Sequence, residues 1–329
     1  MSTIEKALQK KLEAKKKQLE AEGASVEESK PEEKTSLERA ASVAKRSEKP
    51  TLNKELTTGK EAKEQVPVKS EKVPKKKLYG DVLENNAADI NIDLPALEAQ
   101  GFVSVDSTRR LINEEYRAIK RKLLKNAFGP LSKSLNNSNI IMVSSARPGE
   151  GKTFTAVNLA LSIAAEKDKT VLLVDADVLR PNVTKTLGVE VGDGLMEYLL
   201  DEKQDIADVM YTTNVEKLRI VPAGRSHHLS TELLASQKMQ ETVDEIASRY
   251  PDRIVIIDTP PLIGINETAI LTNFAGQAVV VCVEGKSRLT DIDKATSLLN
   301  PDMAIGFVVN KAIVSVDEDA GYYGYYYAK

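Results

Sequence analysis

Residues 140–159 read IIMVSSARPGEGKTFTAVNL. The first four, Ile140 to Val143, form an apolar run of the length and type that buries as a strand. Ser144 to Gly151 are mostly small or turn-forming, and from Lys152 onward the apolar residues recur with helical spacing. A strand that ends in a glycine-containing loop and continues as a helix makes a cradle for phosphate. Loop N–H groups and the positive end of the helix dipole both face the anion. In the pattern G-x-x-x-x-G-K-[ST], Lys152 reaches the β/γ-phosphates and the Thr153 hydroxyl reaches Mg²⁺. Arg147, Pro148, Gly149, Glu150, Gly151 and Phe154 complete the expected nucleotide contacts. The first glycine of the pattern is replaced by Ala146.

Outward from this stretch, apolar runs recur at Val171–Val174, Leu218–Val221, Ile254–Ile257, Ala278–Val283 and Gly306–Val309. Most are continuous rather than alternating, which implies burial on both faces. Helical patterns at Thr153–Ala165, Leu233–Arg249 and Thr290–Leu299 separate them. This order predicts an α/β fold, a doubly wound and mainly parallel sheet that binds ligands at the carboxyl ends of its strands. Two carboxylate sites fall at such ends. The run VLLVD finishes at Asp175, followed by Ala176 and Asp177, and IVIID finishes at Asp258 before Thr259-Pro260-Pro261. One carboxylate of the first pair can hold a water of the Mg²⁺ shell, and the other can accept a proton from an attacking hydroxyl. Asp258 stands at the Walker B position. Either group alone is as well explained as a helix cap or turn residue; three sites on three strand ends point to nucleotide and Mg²⁺. Asn310, ending the last run, is placed to bond an adenine. A guanine-reading N-K-x-D would need aspartate where Ile313 stands, so ATP is favoured over GTP.

The chain has 329 residues and a net charge of −3, which hides an asymmetry: residues 1–80 carry 20 Lys and Arg against 14 Asp and Glu, the remainder 26 against 35. Residues 1–90 read as a charged, largely disordered arm with one short helical pattern at 4–20, because they offer little apolar area to offset ordering entropy. Residues 91–135 read as a helical lead-in and oligomerisation segment, and within 81–105 Ile90, Ile92, Leu94, Leu97 and Phe102 are expected to pack loosely on the domain. In the helix expected over Ser107–Phe128, Ile112, Tyr116, Ile119 and Leu123 share one face. Residues 136–313 hold the nucleotide domain and 314–329 a flexible tail. Cys282 reads as a buried, inert thiol, His227-His228 as a surface loop, and no run reaches membrane-spanning length.

The phosphate loop, the D-x-D and the D-T-P-P together resemble the deviant-Walker-A ATPases. Partition and septum-site members carry lysine where this chain has Arg147. S-A-R-P-G-E-G-K-T instead resembles the loop of the bacterial protein-tyrosine kinases of exopolysaccharide and capsule export. Glu114-x-x-Arg117-x-x-Lys120 resembles that family's E-x-x-R-x-x-R oligomerisation motif, and the ending GYYGYYYAK its tyrosine cluster. The N-terminal opening and DADVLRPN look most like the subgroup encoded with exosortase-type systems. The kinase family's D-x-D-x-R often carries arginine at the place of Leu179, and here Arg180, one position later, is the candidate phosphate contact.

The resemblance implies an ATP- and Mg²⁺-dependent tyrosine autokinase with Lys152, Asp175, Asp177 and Asp258 as its catalytic set. It also implies a homo-oligomeric ring, a membrane polysaccharide co-polymerase whose cytoplasmic tail activates the kinase, a cognate tyrosine phosphatase, and no nucleic-acid partner. The location implied is cytoplasmic, at the inner membrane through the partner. Five of the ten tyrosines, Tyr322, Tyr323, Tyr325, Tyr326 and Tyr327, lie in the last eight residues and are the expected acceptors. A partition-type ATPase switch, turning over ATP without phosphotyrosine, is the alternative.

Overall fold

The computed structural model describes residues 89–105 and 110–312. The helix expected at 4–20, most of the charged arm, and the tyrosine tail lie outside the described residues.

Every apolar run read as a strand is one. β1 (Ile140–Ser145), β2 (Thr170–Asp175), β4 (Leu218–Val221), β5 (Arg253–Asp258), β6 (Gln277–Val283) and β7 (Ala304–Asn310) pair in parallel, and a two-residue β3 (Tyr211–Thr212) adds an antiparallel edge. The spatial order is β3-β4-β2-β5-β1-β6-β7. The chain leaves β1 toward β2 on one side, returns to β5, and then passes to β6 on the other side. The carboxyl end of β1 is therefore a topological switch point, where such sheets bind ligands. β1, β5 and β6 are buried along their whole lengths.

Helices cover both faces. On one, α1 (Leu94–Ala99), α2 (Leu111–Phe128), α3 (Lys152–Ala164) and α4 (Val183–Leu187) bring Leu97, Tyr116, Leu123, Leu159, Ile163 and Leu187 against Ile141, Val143 and Ile256. On the other, α5 (Leu195–Leu199), α6 (Ser230–Leu234), α7 (Gln237–Ser248), α8 (Asn266–Leu271) and α9 (Leu289–Thr296) bury Leu195, Met239, Val243, Leu271 and Ala295 over Met142, Leu172 and Val255. α3, the helix that opens with Lys152, is buried almost all round, so core packing fixes where its N-terminus points.

Three expectations change. The pattern read as one helix over Leu233–Arg249 is two, because Ser236 adopts an extended conformation and its Oγ accepts the Met239 N–H at 3.2 Å, starting α7 afresh. Residues 90–105 do not pack loosely. Ile90, Ile92, Leu97, Phe102 and Val103 are buried, Ile90 N–H donates to Thr212 O at 3.0 Å, and Val103 N–H donates to Asn158 Oδ1 at 2.7 Å. This segment shares the core of the nucleotide domain. Lys120, a charged residue outside the apolar face expected for its helix, is buried: its ammonium donates to Ser162 O and pairs with Glu166, both at 2.7 Å, tying α2 to the last turn of α3.

Candidate active site

The loop from β1 to α3 keeps glycine only where the backbone demands it. Gly149 and Gly151 have φ of +82° and +98°, a region costly for residues with a Cβ. At Gly151 a Cβ would also lie 2.0 Å from Asn310 Nδ2. Ala146, at the position of the missing glycine, is buried and has no positive φ, so the departure from the pattern costs no backbone strain.

In this structure, side chains expected to touch nucleotide brace the loop. Glu150 is buried; its carboxylate accepts the Arg147 N–H at 2.8 Å and the Ser287 hydroxyl. Ser287 Oγ in turn accepts the Val283 N–H at the end of β6, at 2.8 Å. Asn310 Nδ2 donates to Glu150 O at 3.0 Å, which commits the amide expected to read adenine. The Arg147 guanidinium turns outward to α9 and grips Asp291 through two bonds of 2.8 and 2.9 Å. The fork geometry of arginine suits such a bidentate clasp, and the Arg147 guanidinium holds the Asp291 carboxyl below its usual range.

The predicted lysine and acids meet as the sequence implied, with distinct jobs. Lys152 Nζ pairs with Asp177 Oδ2 at 2.5 Å, and both side chains are largely buried, 13% and 5% exposed. Asp177 Oδ1 accepts the Arg180 N–H at 3.1 Å. Thr153 donates its hydroxyl to Asp258 Oδ2 at 2.6 Å. Asp258 Oδ1 is buried with no hydrogen-bond partner among the described residues. Burial pushes the Asp258 carboxyl up to about 7, with Lys152 pulling against the shift and Asp175 adding to it. A buried, unsatisfied carboxylate oxygen beside a threonine hydroxyl is a hard oxygen set of the kind Mg²⁺ selects, so these residues fit that ion.

Asp175 is met by backbone donors. It lies beside Asp258 in the β2–β5 register, but its oxygens are spent on backbone. Oδ1 accepts the Asp177 N–H at 3.1 Å, and Oδ2 accepts those of Asn182 and Val183 at 3.1 and 3.0 Å. It shapes the loop that carries Asp177 and starts α4. Burial raises its carboxyl to about 6 against the pull of these three N–H groups.

A cavity of about 850 Å³ opens beside Lys152, Thr153 and Asp177. Pro148 lines it, as do Phe154, tilted against Phe102 with ring centroids 4.6 Å apart, and Pro260, Pro261 and Ile263. Arg180 and Lys185 are exposed on its wall. Sequence reading missed Phe102, Asp291, Ser287 and Lys185. None belongs to a motif, and only the basic charge at Arg147 signalled that an acid would be brought to it. Glu114 and Arg117 pair with each other on the half-exposed side of α2. Lys120, the third residue of that motif, is bound within its own chain.

A family model described as an AAA domain matches residues 138–300. The tyrosine-protein kinase YwqD of Bacillus subtilis is 31% identical over 227 residues, which cover 68% of this chain and 92% of YwqD. The chain belongs to the bacterial tyrosine-protein kinases. It spans 26% of the longer tyrosine-protein kinase wzc of Salmonella typhimurium, with 29% identity over 194 residues. The kinase domain of the Escherichia coli tyrosine kinase ETK superposes on this kinase with a TM-score of 0.54. That match has 26% identity and covers 64% of this chain and 81% of the other. Among the described residues, no helix of the kinase is long and apolar enough to cross a membrane.

Proposed function

We propose that this kinase transfers the γ-phosphoryl group of ATP to tyrosines of its own C-terminal cluster, Tyr322, Tyr323, Tyr325, Tyr326 and Tyr327, on a neighbouring subunit. The observation that carries the reading is the Lys152–Asp177 pair at 2.5 Å, which places a phosphate-binding cation and a proton acceptor at one end of an apolar-walled cavity. When nucleotide enters, Lys152 moves to the β/γ-phosphates and leaves Asp177 Oδ2 free. A phenol hydroxyl then sits between that carboxylate and the γ-phosphorus. The Oη–Pγ bond forms, the bond to the β,γ-bridging oxygen breaks, Asp177 takes the phenol proton, and ADP departs. Thr153 and Asp258 would hold Mg²⁺, which supplies neutralisation of charge on the β/γ-oxygens. The braced loop presents its N–H groups without further ordering, and the position of Lys152 at the start of a buried helix fixes the lysine against them.

Each phosphotyrosine adds about −1.5 to −2 charges. Several of them are repelled by the Asp175, Asp177 and Asp258 region and loosen a ring built through Glu114 and Arg117. On the family resemblance of the loop, the α2 motif and the tail, this cycle tunes polysaccharide polymerisation and export. A membrane co-polymerase holds the kinase at the inner membrane, and a tyrosine phosphatase resets it. The test is phosphopeptide mapping of the tail after incubation with ATP and Mg²⁺. Wild-type protein labels the cluster and Lys152→Ala does not, whereas a tail-deleted active chain labels added Lys152→Ala protein. Equal labelling of Lys152→Ala alone sinks the assignment.

A further inference from the structure

The cavity beside Lys152 has more chemistry than a phenol ring needs. Its buried and half-buried lining is apolar and aromatic: Phe102, Phe154, Pro261 and Ile263. Its outer wall carries Arg180 and Lys185, both exposed, and neither is paired with a carboxylate among the described residues. Asp177 Oδ1 is satisfied by the Arg180 backbone N–H, which leaves the guanidinium itself uncommitted. The phosphates of ATP are met by Lys152 and the loop N–H groups and the phenol is neutral, so two further unneutralised cations on the wall suit an acidic group on the segment that enters.

The chain supplies such a segment. Ahead of the cluster it reads Asp317-Glu318-Asp319-Ala320-Gly321-Tyr322. Asp319 lies three positions before the first acceptor, and three residues of extended chain span about 10 Å. A cavity of about 850 Å³ is roughly 10 Å across, so a tyrosine at its inner end leaves the acidic triplet at its outer wall.

We infer that Arg180 and Lys185 form an acceptor-docking subsite for the triplet Asp317-Glu318-Asp319, so that this kinase selects tyrosines preceded by carboxylates three to five positions upstream. The inference rests on the tail-phosphorylation reading above and names the substrate class of that same site. Exposed pairs of this kind are individually weak and screened by salt. Their effect is on choice among acceptors rather than on chemistry.

The test is a competition. Wild-type full-length kinase, ATP and Mg²⁺ are mixed with two tagged, inactive full-length acceptors in equal amounts. One is Lys152→Met, and the other is Lys152→Met with Asp317→Asn, Glu318→Gln and Asp319→Asn. Phosphate at Tyr322 and Tyr323 of each is counted by mass spectrometry. The acidic tail is expected to be labelled about tenfold faster at low salt, the sum of two exposed charge pairs. Enzyme carrying Arg180→Ala and Lys185→Ala is expected to label the two tails equally, whatever its absolute rate. Charge-reversed enzyme, Arg180→Glu with Lys185→Glu, should prefer an acceptor with lysines at 317–319. Retention of the tenfold preference by the doubly substituted enzyme overturns the subsite. Equal labelling by wild-type enzyme overturns it as well, while leaving tail phosphorylation intact. No label on either tail refutes the tail as substrate.

Discussion

The pairing of Lys152 with Asp177 predicts that the two partners, though both needed for transfer, affect nucleotide binding in opposite directions. The lysine cannot hold both a carboxylate at 2.5 Å and the phosphates of ATP, so Asp177 competes with the nucleotide and, once released, repels it. Asp177→Asn removes the charge but keeps an acceptor for the Arg180 N–H, so the loop after β2 retains its shape. A charge-assisted hydrogen bond between largely buried partners has a net worth of about 1.5–3 kcal/mol. Part of that is recovered when lysine meets phosphate. A gain of about 1.4 kcal/mol, tenfold in Kd, is the expected effect of the substitution. Tail phosphorylation should fall by about 10²- to 10⁴-fold, the usual contribution of a positioned general base. Calorimetric titration of ADP and a non-hydrolysable ATP analogue with Mg²⁺ reads the first number, and quench-flow phosphotyrosine counting reads the second. Lys152→Ala should lose both binding and transfer. If Asp177→Asn binds nucleotide no tighter than wild type, the competition argument is wrong. If it transfers phosphate at an undiminished rate, Asp177 is not the base.

Gly151→Ala places a side chain at φ +98° against Asn310 and should lower stability by about 1–2 kcal/mol for the backbone alone. Adding Asn310→Ala should relieve the overlap but not the backbone cost, as thermal melts of both variants would show. For Asp258 the folded carboxyl titrates at about 7 instead of 3.8. The folded state therefore favours the protonated form, and the stability it contributes is lost as pH rises from below 4 through 7. Urea unfolding in chelator should show Asp258→Asn gaining on wild type by about 2 kcal/mol between pH 5.5 and 8, at 1.36 kcal/mol per unit. A pH-independent difference would contradict the buried, unsatisfied carboxylate. Lys120→Met keeps the aliphatic stem and removes the ties to Ser162 and Glu166. A stability loss of about 1–2 kcal/mol is expected, kept small because Glu166 is partly solvated. Light scattering should report an unchanged oligomeric state; dissociation without loss of stability would return Lys120 to a subunit contact.

Strands and the catalytic strand ends were legible because burial on both faces leaves continuous apolar runs, and a phosphate cradle has few alternatives to G-K-T after such a run. What stayed hidden depends on contacts distant in sequence. Nothing near Arg147 marks Asp291, 144 residues away, as its partner. Glu150 and Asn310 look like loop-end polar groups until the fold brings them together. Asp175 and Asp177 end the same strand two residues apart, and the turn of the chain into α4 distinguishes their surroundings by delivering the Asn182 and Val183 N–H groups to the first. Helices of five or six residues such as Val183–Leu187 are too short to display a period. Lys120 shows the converse difficulty: on a helical wheel it falls among charged neighbours, and its burial follows from the approach of α3, which periodicity does not report.

Glu150, Asn310 and the Arg147–Asp291 clasp hold the phosphate loop before any anion arrives, so capture of nucleotide orders little additional backbone there. The conformational entropy lost on binding falls instead on the opposite bank of the site, where Lys152 must part from Asp177 and the segment behind it readjusts. A rigid cradle facing a bank that exchanges partners makes the lysine a latch. Nucleotide is what turns it, and the acid becomes available for proton transfer only once a phosphate donor is already in place.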